Sequence, residues 1–157
     1  MNKAEFVIEP GRQDIVITRM FDAPRELVFR AMTDPELIPS WWGPRKYKTI
    51  VDEAEIRPGG RWRFLNRDDE GNEYAFKGVY HDIDAPGRVV WTFEFEGAPG
   101  HVSLETMTLE EVDGKTKFVT VAVYQSVADR DAMVASGMQE GAMETYDRLE
   151  EVVSNLK

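Results

Sequence analysis

Cysteine is absent from the 157 residues. Its absence excludes disulfides, a thiolate nucleophile and any cysteine-ligated zinc site. Histidine is scarce: His81 and His101 are the only two. Even with Asp82 and Asp84 beside His81, no two-histidine spacing matches a metal-ligand pattern, so both read as surface or turn residues and neither metal nor cofactor is expected. Long apolar runs are missing too. The opening residues, MNKAEFVIEP, hold no apolar signal core, and no stretch approaches the length of a membrane span. Positive charge is in deficit, with 19 Lys and Arg against 29 Asp and Glu, a formal net charge of −10 and a pI near 4.7. That balance disfavours nucleic acid or an anionic membrane surface as a partner. The expected setting is the cytoplasm.

Catalytic signatures are equally thin. Gly59-Gly60 leads into a strand without a lysine-serine or lysine-threonine partner, so it is not a phosphate loop. Asp68-Asp69-Glu70-Gly71-Asn72 lacks the spacing of a calcium loop and reads as a hairpin tip. No serine sits in a nucleophile-elbow context. No residue is assigned a catalytic role.

What is present is periodicity. DIVITRMF (Asp14–Phe21) alternates as a first strand, with Ile15, Ile17 and Phe21 on one face. Asp22-Ala23-Pro24 opens a short helix with Asp22 as its cap, and Pro35–Ser40 forms a second helical turn. From Tyr47 onward the period is two: Tyr47–Arg57, Arg61–Arg67, Glu73–Asp84, Arg88–Glu96, His101–Glu111 and Lys115–Tyr124 are six strands joined by short turns. Ser126–Lys157 then reads as one long helix capped by Ser126, with Asp129 in capping-box position. Its apolar stripe runs Met138, Ala142, Tyr146, Leu149, Val153 and Leu156. Gly137 and Gly141 interrupt that helix on one side, either for close packing, as a kink at Ser136-Gly137, or to leave a hollow against the sheet. The order predicts an α+β fold: seven antiparallel strands in a curved sheet around a long C-terminal helix, two short helices between strands 1 and 2, and one domain over residues 1–157 with residues 1–13 as an N-terminal extension.

Four ordered stretches resemble a known family: RMFDAPRELVFRAMTDPELIPSWWGP (Arg19–Pro44), IRPGGRWRF (Ile56–Phe64), DEGNEYAFKGVY (Asp69–Tyr80) and SGMQEGAMETYDRLEEVV (Ser136–Val153). They look like the homologues of the activator of the heat-shock-protein-90 ATPase. Those belong to the START-like superfamily, together with polyketide cyclases and lipid-transfer domains. The resemblance implies a helix-grip fold with a cavity between sheet and C-terminal helix. Its favoured implication is non-catalytic binding of a small hydrophobic or amphipathic molecule. A cyclase- or aromatase-like enzyme using the same cavity is the first alternative, and a stress-related chaperone-interacting module the second. A homodimer and a chaperone contact remain open as partners.

In such a fold the expected cavity lining is Trp42, Trp62, Phe64, Phe76, Trp91, Phe93, Met107, Met138, Gly141 and Ala142. Of the pair Trp41-Trp42, one is expected to be fully buried, and the Trp41-Trp42-Gly43-Pro44 segment reads either as a hydrophobic plug at the sheet edge or as a lid over a cavity mouth. Met107, Met133, Met138 and Met143 stand out because thioethers adapt to irregular apolar shapes. A cyclase would need a titratable group in the cavity, for which Glu105, Tyr80 and His81 are the candidates. Glu105 could share a face with Met107 and Leu109, but Val102 and Leu104 compete for the interior. It therefore reads as a solvated strand charge.

Overall fold

The computed structural model describes residues 2–157. Its strands are β1 (Glu5–Val7), β2 (Asp14–Phe21), β3 (Lys48–Ala54), β4 (Arg61–Arg67), β5 (Glu73–Asp84), β6 (Arg88–Phe95), β7 (Val102–Val112) and β8 (Lys115–Val123). They form one antiparallel sheet in the order β1-β2-β8-β7-β6-β5-β4-β3. The helices are α1 (Arg25–Thr33), α2 (Val127–Ala135) and α3 (Met138–Leu156), with a 3-10 turn at Ile38–Ser40. The meander from β3 to β8 pairs each strand with its sequence neighbour, and β2 closes against β8 in full register from Asp14↔Val123 to Phe21↔Thr116.

The α+β helix-grip architecture is present, with two departures. The sheet has eight strands, because Glu5–Val7, inside the expected extension, pairs with Val16–Thr18. Three residues are too few for a period-two pattern to register, and this strand is defined only by its partner. The long helix is also two helices. Gly137 takes φ +87, the left-handed region that glycine enters without steric cost, and stands outside the helix as the first position before α3. Ser126 does cap α2, its Oγ accepting the Asp129 amide at 3.0 Å. The Asp129 carboxylate does not complete a capping box; it meets His101 Nδ1 at 3.0 Å instead. At α1 the cap position is Pro24 rather than Asp22, which lies 3.5 Å from Lys115.

Alternation decides what the sheet buries. On β2, Ile15, Ile17, Arg19 and Phe21 are all buried on one face while the residues between them are not. Leu149 and Val153 of α3 share one core with Phe21 at the end of that face and are fully enclosed. An ion pair fixes the approach: Arg19, only 1% exposed, donates to Asp147 of α3 at 2.6 Å. Arg130 of α2 is likewise buried and donates to the Asp14 carbonyl and to Asp131. Neither arginine shows in the apolar pattern, yet each ties a helix to β2.

Candidate functional site

Between the concave face of the sheet and α3 lies a cavity of about 280 Å³. Its sheet wall is built from inward-facing positions of the meander, including Phe64, Phe76, Phe93, Trp91, Met107 and Phe118. Met138, Gly141, Ala142 and Tyr146 form the helical wall. The break at Gly137 is what allows this. It lets α2 lie apart from α3, so that Met133 of α2 and Met138 of α3 border the same space. Gly141 contributes an absence: a Cβ placed there would meet only Pro44 Cγ, at 3.7 Å, an ordinary contact.

The Trp41-Trp42-Gly43-Pro44 segment closes one side. Trp41 is buried, and its Nε1 donates to the Ala31 carbonyl at 2.9 Å, which ties this segment to α1. Trp42 turns into the aromatic wall, with ring centroids 5.1 Å from Phe64 and 5.3 Å from Phe76 in edge-on contacts. Arg148 of α3 holds the segment from the other side, donating to the carbonyls of Gly43 at 2.5 Å and Ser40 at 3.1 Å. Burial, followed by the like charge of Arg45, lowers the Arg148 pKa. Thr49 Oγ1 donates to the Trp42 carbonyl, and Asn66 lies against Gly43, where a Cβ would come within 2.9 Å of its side chain.

Nine of the ten residues expected to line the cavity do so: Trp42, Phe64, Phe76, Trp91, Phe93, Met107, Met138, Gly141 and Ala142. Trp62 does not. It lies behind Trp91 in a parallel stack, 4.0 Å between centroids and 16° between planes, with its Nε1 donating to the Thr92 carbonyl. It supports the wall from outside. Trp41, which carried no cavity assignment, also touches the space. Met143 is exposed on the far side of α3, so the run of methionines does not act as one surface.

Polar groups inside are few. Glu105 faces the cavity, which corrects its reading as a solvated strand charge. On β7 the buried set is Ser103, Met107 and Leu109, and Glu105 shares their parity, while apolar Leu104 points outward at 45% exposure. Register explains the choice: Glu105 is the cross-strand partner of Trp91, and directly paired residues share a face. Trp91 Nε1 donates to Glu105 Oε1 at 2.7 Å. Burial raises the carboxyl pKa above its usual value, with the Trp91 hydrogen bond opposing in part. The phenols of Tyr80, Tyr124 and Tyr146 border the same space, each shifted upward by burial, Tyr146 to about 12. Tyr146 Oη lies 3.4 Å from Thr120 Oγ1. The Glu105 charge raises Tyr124 and Tyr146 further, and all three side chains line the cavity. Of the titratable candidates, Glu105 and Tyr80 border the cavity and His81 is exposed outside it.

A second hollow of about 590 Å³ shares Asn66, Phe76, Phe93, Tyr124 and Met133 with the first. Tyr47, Tyr74, Phe95 and Ala98 extend it outward along the sheet, and the His101–Asp129 pair lies on its border with α2. The two hollows adjoin as chamber and vestibule. Among the described residues no three His, Asp or Glu side chains gather as a metal site would need.

A curved antiparallel sheet closed by a C-terminal helix over a lined chamber defines a helix-grip protein of the START-like, polyketide cyclase-like class. Within it, the model of the family described as "Activator of Hsp90 ATPase homolog 1-like protein" matches residues 22–154, and the chain belongs to that family. Solved structures agree on the fold. A crystal structure of a Rhodobacter sphaeroides protein is similar at 27% identity and TM-score 0.87, over 96% of this chain and 99% of that one. A solution structure of an Arthrobacter aurescens protein matches at 23% identity and TM-score 0.88, over 96% and 91%. CalU16 from Micromonospora echinospora shares the fold more loosely, at 22% identity and TM-score 0.62, over 98% and 87%. No curated protein matches the chain in sequence. Among the described residues, no helix is long and apolar enough to cross a membrane.

Proposed function

We propose that the protein binds a small hydrophobic or amphipathic molecule in the chamber between sheet and α3. The observation that carries this is the wall itself: an apolar, aromatic-rich chamber of about 280 Å³ in a family of helix-grip fold. Close-packed interiors rarely leave such space, and every cavity costs lost dispersion contacts, so space of this size is kept where something fills it. The binding residues are Trp42, Phe64, Phe76, Trp91, Phe93, Met107, Met138, Gly141 and Ala142, and the vestibule under α2 is the route in.

Neutral aromatic compounds such as 1-naphthylmethanol supply the test. They should raise the melting temperature in proportion to ln(1 + [L]/Kd) and quench the fluorescence of Trp42 and Trp91. Ala142→Leu, which fills the chamber from α3, should blunt both responses. Glu70→Ala, at the exposed tip between β4 and β5, should leave them intact. A panel of neutral aromatic and aliphatic compounds without any shift would overturn the reading.

A catalytic reading rests on one observation, the carboxyl of Glu105 beside Tyr124 and Tyr146 in that chamber. A buried carboxyl with a raised pKa can serve as a proton donor or acceptor. Turnover of a bound aromatic polyketone, lost in Glu105→Gln, is the result that would favour it over simple binding.

A further inference from the structure

Glu105 is a charge-capable group left unfinished. Its Oε1 accepts from Trp91 at 2.7 Å. Among the described residues its second oxygen has no hydrogen-bond partner, and no Lys, Arg or His pairs with the carboxylate. The titratable groups that line the chamber with it are phenols, Tyr80 from β5, Tyr124 just past the end of β8 and Tyr146 from α3, with Asn66, Thr120 and Thr145 as the neutral polar side chains. Of the guanidiniums that act on two of those phenols, Arg130 is held by the Asp14 carbonyl and Asp131, while Arg19 gives one nitrogen to Asp147 and keeps Nε and Nη2 without a hydrogen-bond partner; neither pairs with Glu105. Glu105 is part-buried and its free oxygen is not sealed off by protein, so that oxygen meets whatever fills the chamber, and a carboxylate held there without a counter-ion favours a guest that supplies one.

We propose that Glu105 is the anchor for a cationic amine head group, and that the guest of the chamber is a lipophilic amine whose apolar body lies against the aromatic wall. This rests on the ligand-binding reading above and narrows its chemistry. A protonated amine supplies both things the site lacks, a hydrogen-bond donor for the free oxygen and a positive charge to offset the carboxylate. Trp91, Tyr124 and Tyr146 border the same space, and their rings favour a cation. The net charge of −10 favours approach of a cation over an anion. A neutral alcohol could satisfy the oxygen but not the charge, and a carboxylate would add a second negative charge to the first.

Three probes of one shape decide it: 1-naphthylmethylamine, 1-naphthylmethanol and 1-naphthoate, titrated by calorimetry against the wild-type chain and Glu105→Gln. Glutamine keeps the acceptor for Trp91 Nε1, so the wall keeps its geometry. In the wild type the amine should bind about tenfold or more tighter than the alcohol, and the naphthoate weakest. In Glu105→Gln the amine advantage should vanish while alcohol binding persists. Amine affinity should also rise with pH until Glu105 is ionised in the free protein, then level off, and the variant should lose that dependence. Should the variant fail to fold, the wild-type order of affinities and its pH profile still decide. Equal affinity of amine and alcohol in the wild type, or an amine preference that survives Glu105→Gln, overturns this assignment and leaves the cavity reading standing. If none of the three binds, both fall together.

Discussion

Two alanine substitutions four residues apart should move stability in opposite directions. At Gly141 the backbone is helical and an added methyl meets only Pro44 Cγ at 3.7 Å. No overpacking opposes it, so Gly141→Ala should gain most of the helix propensity difference, about 1 kcal/mol. At Gly137 space is equally open, with nothing within 4 Å of a built Cβ, but φ is +87. There the cost is conformational: an L-residue held left-handed loses roughly 1–2 kcal/mol, and Gly137→Ala should be destabilised by that amount. Urea denaturation measures both. With a slope of about 2 kcal/mol/M, the midpoint should rise by roughly 0.5 M for Gly141→Ala and fall by roughly 0.5–1 M for Gly137→Ala, the slopes unchanged. The methyl at Gly141 also enters the chamber, so the more stable variant should bind a naphthyl probe more weakly. Destabilisation by Gly141→Ala would mean that α3 is pressed onto its neighbours there and the chamber is smaller than described. A neutral or stabilising Gly137→Ala would mean that α2 and α3 form one continuous helix in solution.

Three further outcomes follow from the same contacts. Asp147→Ala strands the buried Arg19 guanidinium and should cost roughly 1–3 kcal/mol, reduced from the fully buried case because Asp147 is 40% exposed and Glu150 lies 3.9 Å away. Arg19→Met, which removes the buried charge itself, should cost less, and the reverse order in denaturant midpoints would refute the pairing. Glu105 has a folded pKa raised above its usual glutamate value of 4.5, so the folded state holds that proton more tightly than the unfolded chain. Its penalty is absent below the unfolded value and grows as pH rises through the folded one. Glu105→Gln should therefore raise the melting temperature at pH 8 more than at pH 4, and an equal gain at both would place the carboxyl in bulk water. Because β1 to β8 share one sheet, thermal unfolding should be a single cooperative transition, and two separable transitions by calorimetry would divide the chain into two units.

Most of the architecture was legible because its signals are repetitive. Six consecutive stretches of period two, each ended by Gly, Pro or Asp chemistry, leave little choice but a meander, and a stripe such as Tyr146, Leu149 and Val153 needs a sheet to cover it. What escaped was local. Glu5–Val7 has no pattern of its own and becomes a strand only by pairing with Val16–Thr18. Gly137 read as an interruption in a helix because propensity cannot say whether a glycine is tolerated or terminates. Its left-handed φ answers that, and the apolar spacing on either side of it was consistent with both. Alternation places Trp62 on the same face as Phe64, which is why the sequence points it toward the cavity. Alternation fixes the face but not the depth, and Trp91 is interposed.

The two charged residues on inward parity are legible in principle, although Arg19 stands outside the apolar set that defines β2 and Glu105 competes with Val102 and Leu104 for the interior. Arg19 sits two residues from Ile17 and two from Phe21; Glu105 sits opposite Trp91 and two from Met107. Pattern reading discounts such residues because burying a charge is expensive, yet the expense is what makes them informative. The chain treats the two oppositely. Arg19 is ion-paired with Asp147 through one nitrogen, with Glu150 3.9 Å from a second, and is sealed under α3 off the chamber wall; its Nε and Nη2 lack hydrogen bonds, but its charge has acids beside it and holds the helix to β2. Glu105 lines the chamber and receives one hydrogen bond, from Trp91, with no counter-ion and no partner for its second oxygen among the described residues. A fold that can neutralise one inward charge with an acid on α3 could neutralise the other with a base on the same helix, whose wall residues Met138, Gly141, Ala142 and Tyr146 carry none. The difference between the two sites separates a charge that stabilises the grip from one whose partner must arrive from outside.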